Sequence, residues 1–163
     1  MKTLLIFRHA KSSWDHPGLR DHDRPLNPRG RRAAPRMGRF LVEQDLMPER
    51  IVSSTAVRAR TTAELAASEF DREVEIETTS DLYGASPDGY IEVAEAMGGA
   101  AERLMLVGHN PGITSLVWQL TGKGEYMPTA ALAAVELDIE DWSELGLARR
   151  GRLIGFWRPK ALP

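Results

Sequence analysis

Leu4-Leu5-Ile6-Phe7-Arg8-His9-Ala10 is the stretch that decides how the chain folds. Four consecutive apolar residues fit a strand buried on both faces, although a run this short fits buried helix equally well. The abrupt change to Arg8-His9 and then to the polar Lys11-Ser12-Ser13 selects the strand. Ligands of open α/β sheets bind beyond the carboxyl ends of the strands, which is where Arg8 and His9 fall. A histidine held against a guanidinium at a strand end suits chemistry on an anion. Taken alone, the pair is equally compatible with a histidine satisfied by backbone and an arginine turned to solvent.

Two further strand ends repeat the pattern. Ile51-Val52-Ser53-Ser54 reads as a short strand running into an alanine-rich helix from Ala56 to Ser68, with Ala59, Thr62, Ala63 and Ala66 on one face. Arg58 falls in the first turn of that helix. A cation there opposes the helix macrodipole, which prefers an anion, so an anion between the two is expected. Arg60 reads as an ordinary surface residue. Arg103 to Val107 is another apolar strand, breaking into Gly108-His109-Asn110-Pro111-Gly112 before a helix from about Ile113 to Leu120. Arg8-His9, Arg58 and His109 are therefore expected to open on one sheet edge.

The rest of the chain supplies the scaffold. Lys11 to Arg24 is a long polar loop with a Pro17-Gly18 turn, and long loops inside compact domains are usually functional. Its His16, His22 and carboxylates match no defensible metal-ligand spacing, so solvated charge is the preferred reading. Asn27-Pro28 resembles a helix cap followed by a first-turn proline, and Ala34, Met37 and Leu41 recur at helical spacing to about Glu43. Pro35 would remove an interior donor, which leaves open a start nearer Arg31. Val74, Ile76 and Thr78 alternate as a half-exposed strand leading to Asp81-Leu82-Tyr83-Gly84. Asp88 to Met97 forms an amphipathic helix ended by Gly98-Gly99, and Ala130 to Leu137 and Arg152 to Trp157 read as two last strands. Strands alternating with helices imply a mainly parallel sheet covered on both faces.

At 163 residues, 42% of them hydrophobic, the chain can bury one proper core, so a single domain over 1–163 is expected. A net charge of −2 argues against a nucleic-acid or membrane-surface protein. The absence of cysteine excludes disulfides and thiolate chemistry. The short apolar run of the N-terminus does not read as a signal peptide or a membrane span, and a cytoplasmic location is expected.

Two guanidiniums can cradle phosphoryl oxygens by forked hydrogen bonds. One imidazole can then attack phosphorus while the other stabilises the transferring group, with cationic neighbours keeping the nucleophile neutral near pH 7. Strand-Arg8-His9, Ser54-x-x-x-Arg58-x-x-x-Thr62 and strand-Gly108-His109-Asn110-Pro111 resemble the histidine phosphatase superfamily. Arg8-His9-Ala10-Lys11-Ser12, Arg24-Pro25-Leu26, Arg29-Gly30 and Thr129-Ala130 resemble its small SixA-type phosphohistidine phosphatases, and the likeness runs from Met1 to about Asp138.

The resemblance implies a three-layer α/β/α sandwich with a mostly parallel sheet, a phosphoglycerate-mutase-like fold without a helical lid insertion. It implies phosphorylation of His9 on nitrogen, a phosphate pocket completed by Arg8, Arg58 and His109, and no metal or other cofactor. The chain departs from the usual Arg-His-Gly at Ala10. It also lacks room for the insertion that accompanies a carboxylic acid in larger members. Asp81, Asp23 and Asp21 remain open as general acids. The expected substrate is phosphohistidine on a protein; a small phosphorylated metabolite, or a non-catalytic phosphate-binding module, are the alternatives.

Overall fold

The computed structural model describes residues 1–147 and 150–163. Lys2–Arg8 forms β1, and its apolar residues alternate between two cores. Leu4 and Ile6 enter one core, Leu5 and Phe7 the other, and all four are buried. That two-sided burial is what the unbroken apolar run requires. Pro28–Glu43 is α1, followed by β2 (Arg50–Ser54), α2 (Val57–Ala67) and β3 (Glu75–Thr79). The chain continues through α3 (Pro87–Met97), β4 (Arg103–Gly108) and α4 (Gly112–Thr121), and ends with β5 (Leu132–Leu137) and β6 (Arg152–Trp157).

The strand order is β3-β2-β4-β1-β5-β6. The first four strands run parallel, while β5 is antiparallel to β1 and β6 to β5. Helices α1 and α2 cover one face, and α3 and α4 the other, giving the three-layer sandwich. The alanine face of α2 lets α1 approach closely: a Cβ on Gly38 of α1 would collide with the backbone of Ala66. Among the described residues no helix is long and apolar enough to cross a membrane, and no helical insertion covers the strand ends.

Several element boundaries differ from the sequence reading, most by a single residue, and three of them have a clear local reading. Helix α1 starts at Pro28, not near Arg31, because the Asn27 side chain accepts from Gly30 N–H at 2.8 Å and caps it. Pro35 therefore lies inside the helix, where the Arg31 carbonyl forgoes its usual donor. Strand β5 begins at Leu132 rather than Ala130, since Ala130 adopts φ 61° in a tight turn. Strand β3 begins at Glu75, one residue after Val74.

Candidate active site

The parallel strands deliver the predicted residues to one edge. Strand β1 ends at Arg8 and β4 ends at Gly108, registered side by side, so His9 and His109 leave neighbouring strand ends. Their ring centroids lie 5.1 Å apart, tilted by 52°. Arg58 reaches the same edge from the first turn of α2, just past the end of β2. All three side chains are more than nine-tenths buried.

His9 is held by backbone on every side. Its N–H donates to the Gly108 carbonyl, and its carbonyl accepts from Ala130 N–H, both at 3.0 Å. Nδ1 lies 2.8 Å from the Ala10 carbonyl, which can only accept. Nδ1 therefore carries the proton and Nε2 presents a lone pair. Burial is the main reason that the imidazole pKa falls to about 3, with His109, Arg58 and Arg8 adding smaller repulsions. The ring is neutral at pH 7. Cationic neighbours were the expected cause; here desolvation dominates and they assist.

His109 is set up as a donor. Its N–H donates to the Tyr90 hydroxyl at 2.9 Å, and Nε2 lies 2.8 Å from Ser54 Oγ. Ser54 Oγ also accepts from Ala56 N–H at 3.2 Å, and Nε2 is the acceptor within reach of its buried hydroxyl proton. A neutral ring then carries its own proton on Nδ1. Burial, followed by Arg58, lowers this imidazole to about 4. Gly108 is required beside it, because a Cβ there would meet the Tyr90 phenol.

The guanidiniums are clamped at their far ends. Arg8 Nη1 donates to the Tyr126 hydroxyl at 3.1 Å and to the Met127 carbonyl at 3.0 Å. Arg58 Nη1 donates to the Asp21 carbonyl at 2.7 Å, and Nη2 to Asp21 Oδ2 at 3.0 Å. Thr62 Oγ1 donates to the Arg58 carbonyl at 2.7 Å and accepts from Ala10 N–H at 2.9 Å. That hydroxyl ties α2 to the loop after β1 and accounts for the Arg58-x-x-x-Thr62 spacing. Among the described residues, three buried side-chain nitrogens have no hydrogen-bond partner: Arg8 Nε, Arg58 Nε and His109 Nδ1. Such groups are costly to leave unsatisfied. All three are donors, and an oxyanion would satisfy them.

The three candidate acids occupy different surroundings. Asp21 is the anion that Arg58 meets. Its carboxylate also accepts from Tyr83 Oη at 2.6 Å and from Arg24 Nε at 3.1 Å. The Tyr83 hydrogen bond, and then those from Arg58 and Arg24, hold its carboxyl well below the usual carboxylate range. Asp23 instead faces His22 Nδ1 at 3.2 Å. Asp81 is exposed in a 3-10 turn after β3. The Lys11–Arg24 loop thus brings Asp21 to the site, and His22 bonds Thr55 Oγ1 at 2.9 Å. Arg24 anchors the loop through Ser12 Oγ and the Ser13 carbonyl, and stacks on Trp14.

Sequence reading missed Tyr83, Tyr126, Ser54 and Tyr90 as parts of this constellation. Tyr83 caps the 3-10 turn that follows β3, two residues beyond Asp81, so a search of the segments just past the strand ends would have found it. The spacing of Ser54 from Arg58 gives no sign of its contact with His109. The links of Tyr90 to the His109 backbone and of Tyr126 to the Arg8 guanidinium cross between elements and leave no local pattern.

A mostly parallel sheet between two helical layers, with paired imidazoles at adjacent strand ends, defines a phosphoglycerate-mutase-like α/β protein. The family model for the histidine phosphatase superfamily (branch 1) matches residues 4–83. An uncharacterised protein of Mycobacterium leprae is 33% identical over 168 residues, covering 94% of this chain and 99% of that one. A structure from Nakamurella multipartitia, assigned as phosphohistidine phosphatase SixA, superposes with a TM-score of 0.86 at 27% identity, covering 98% of this chain and 97% of the other. One from Agrobacterium tumefaciens with the same assignment gives 0.81 at 30% identity, covering 97% and 98%. The chain belongs to the histidine phosphatase superfamily.

Proposed function

We propose that this chain hydrolyses phosphohistidine on a protein, through a phosphoryl group carried transiently by His9 and without a metal ion. The observation that carries the reading is the trio of buried, unpartnered donors at Arg8 Nε, Arg58 Nε and His109 Nδ1 beside the free lone pair of His9 Nε2. The two SixA-assigned structures support the choice of substrate.

The geometry supports the following roles. A dianionic phosphoryl group fills the place aimed at by the three donors, and charge developing on its oxygens is met by groups that need not reorganise. His9 Nε2 attacks phosphorus and the bond to the leaving group breaks. A substrate phosphoimidazole protonated on its other ring nitrogen departs as neutral imidazole and asks the protein for no proton. His9 keeps its Nδ1 proton against the Ala10 carbonyl, so the phosphoenzyme is an N-phosphoimidazolium. Water then attacks phosphorus, the P–N bond breaks, and His9 returns to its neutral tautomer with H2PO4⁻ released. Atoms and charge balance in both steps.

An alkoxide leaving group does need an acid, and water's pKa of roughly 15.7 sets that scale against about 10 for a phenol and about 6.5 for imidazole. With Asp21 ionised and engaged, kcat/KM should fall from phosphohistidine to aryl phosphate to alkyl phosphate. The deciding experiment mixes the protein with a phosphohistidine substrate in chelator and quenches it rapidly. Protein-bound phosphate that is labile to acid, stable to base and absent from His9→Ala is expected. No such adduct, or turnover that requires a divalent ion, refutes the mechanism.

A further inference from the structure

The phosphate pocket uses one side of the segment from Met127 to Ala130, through the Met127 carbonyl on Arg8 and the Ala130 N–H on His9. The other side of that segment lines a separate cleft of about 170 Å³. Lys11, Arg29, Arg158 and Lys160 surround the cleft, Ala33 and Thr129 contribute to its lining, and no carboxylate does. Among the described residues, Arg158 alone of the four is matched, by Glu125 at 2.5 Å. Among the described residues, Lys11, Arg29 and Lys160 form no ion pair, and all three are exposed.

This is a local reversal of the protein's charge. The chain carries a net −2, yet α1 alone holds five arginines (29, 31, 32, 36 and 39) against one carboxylate, Glu43. Of the five, Arg39 is paired with Glu69. The first turn of α1 contains no acidic residue, so its positive dipole end adds to the field of Arg29. Lys11 stands two residues from His9, within about 7 Å along the backbone, and its charge reaches the Tyr126 phenol that contacts Arg8. The cleft therefore borders the mouth of the catalytic pocket. Like charges gathered this way repel one another unless a ligand of opposite sign uses them.

We propose that the basic cleft between α1 and the C-terminal segment docks an acidic stretch of the phosphorylated protein substrate, close in sequence to the phosphohistidine. This rests on the phosphatase reading above and adds to it what selects the partner. An extended peptide advances about 3.3–3.6 Å per residue, so carboxylates roughly two to five residues from the phosphohistidine would reach Lys11, Arg29 and Lys160. Several screened charge pairs of this exposed kind add up to a preference on the order of tenfold at low salt.

The test uses two phosphohistidine peptides that differ only by Asp/Glu against Asn/Gln at those flanking positions. Wild-type protein should show a kcat/KM ratio of about ten in favour of the acidic peptide, shrinking as salt is raised. Arg29→Glu with Lys160→Glu should bring the ratio to one or below. Both peptides are read on the same protein, so a folding defect cancels. In parallel, fluorescence anisotropy measures binding of the two unphosphorylated peptides to His9→Ala protein, where no chemistry intervenes. Equal kcat/KM and equal binding for both peptides overturn the docking site, as does a preference that survives the double charge reversal. Tighter binding of the acidic peptide, lost on charge reversal but without turnover of either phosphopeptide, would refute the phosphatase reading and leave the docking site standing.

Discussion

Replacing Asp21 by Asn separates two roles that a carboxylate at this edge could play. In the structure one Asp21 side chain receives three donors: Arg58 Nη2, Tyr83 Oη and Arg24 Nε. An asparagine of the same shape offers one acceptor oxygen, and its amide faces at least one of those donors with N–H instead. Charged hydrogen bonds are worth about 1.5–3 kcal/mol against about 0.5–1.5 for neutral ones. The Asp21 side chain is half exposed, so screening leaves a loss of roughly 1–2 kcal/mol in the grip on Arg58. That corresponds to a fall of about tenfold in kcat/KM, at about 1.36 kcal/mol per factor of ten. The fall should be the same for phosphohistidine, aryl phosphate and alkyl phosphate, because a misplaced Arg58 harms every phosphoryl transfer. Steady-state kinetics on the three substrates measures it. Should Asp21→Asn abolish alkyl phosphate hydrolysis while sparing phosphohistidine, Asp21 is the general acid and the positioning argument fails.

Three other outcomes follow from the same geometry. Arg58→Lys keeps charge but cannot both hold Asp21 and aim a second donor into the pocket, so kcat should drop on the order of 10²-fold; near-normal turnover would show that charge suffices. Ser54→Ala leaves His109 Nε2 without its hydroxyl partner and should cost about 1–3 kcal/mol in chemical denaturation, with a drop in kcat as the Nδ1 proton is no longer enforced. The depressed imidazoles of His9, at about 3, and His109, at about 4, make the unfolded chain bind more protons between those values and 6.5. Their stabilisation is present above pH 6.5 and is lost as pH falls toward 4, by on the order of 1 kcal/mol per pH unit for each ring. Urea melts across pH 4–7 would show it, and a flat profile would contradict the burial of both rings.

How much of this could be read from the chain depended on the range of each signal. Strand β1 was legible because burial on both faces forces an unbroken apolar run, and the breaks at Arg8 and Gly108 marked where the sheet edge had to lie. Helix α1 was legible in its periodicity but not in its start, since the Asn27 cap and the buried face of Ala34, Met37 and Leu41 together carry the helix across Pro35. The identity of the carboxylate at the site was hidden. Asp81 lay on the expected strand end, yet Asp21 reaches Arg58 from a loop with no periodicity, across 37 residues. The neutrality of His9 was foreseen with its causes in the wrong order: sequence shows neighbouring charges, while desolvation depends on helices and loops that close over the ring from elsewhere.

Strand β1 precedes both of its neighbours in the chain and lies between β4 and β5, pairing Thr3 with Arg103 on one side and Glu136 on the other. On a ribosome, its apolar residues must therefore wait for roughly a hundred later ones before either neighbour exists. Pairings of such separation form slowly because loop closure precedes any contact that rewards it. Until then the β1 edges are open templates for wrong partners. His9, whose backbone is held by Gly108 and Ala130, acquires its tautomer and its nucleophilic lone pair only once that centre has closed. If His9 is the phosphoryl acceptor proposed above, that capacity reports on completed folding, and a nascent or truncated chain ending before β5 would present the Arg8-His9 sequence without the backbone that holds it.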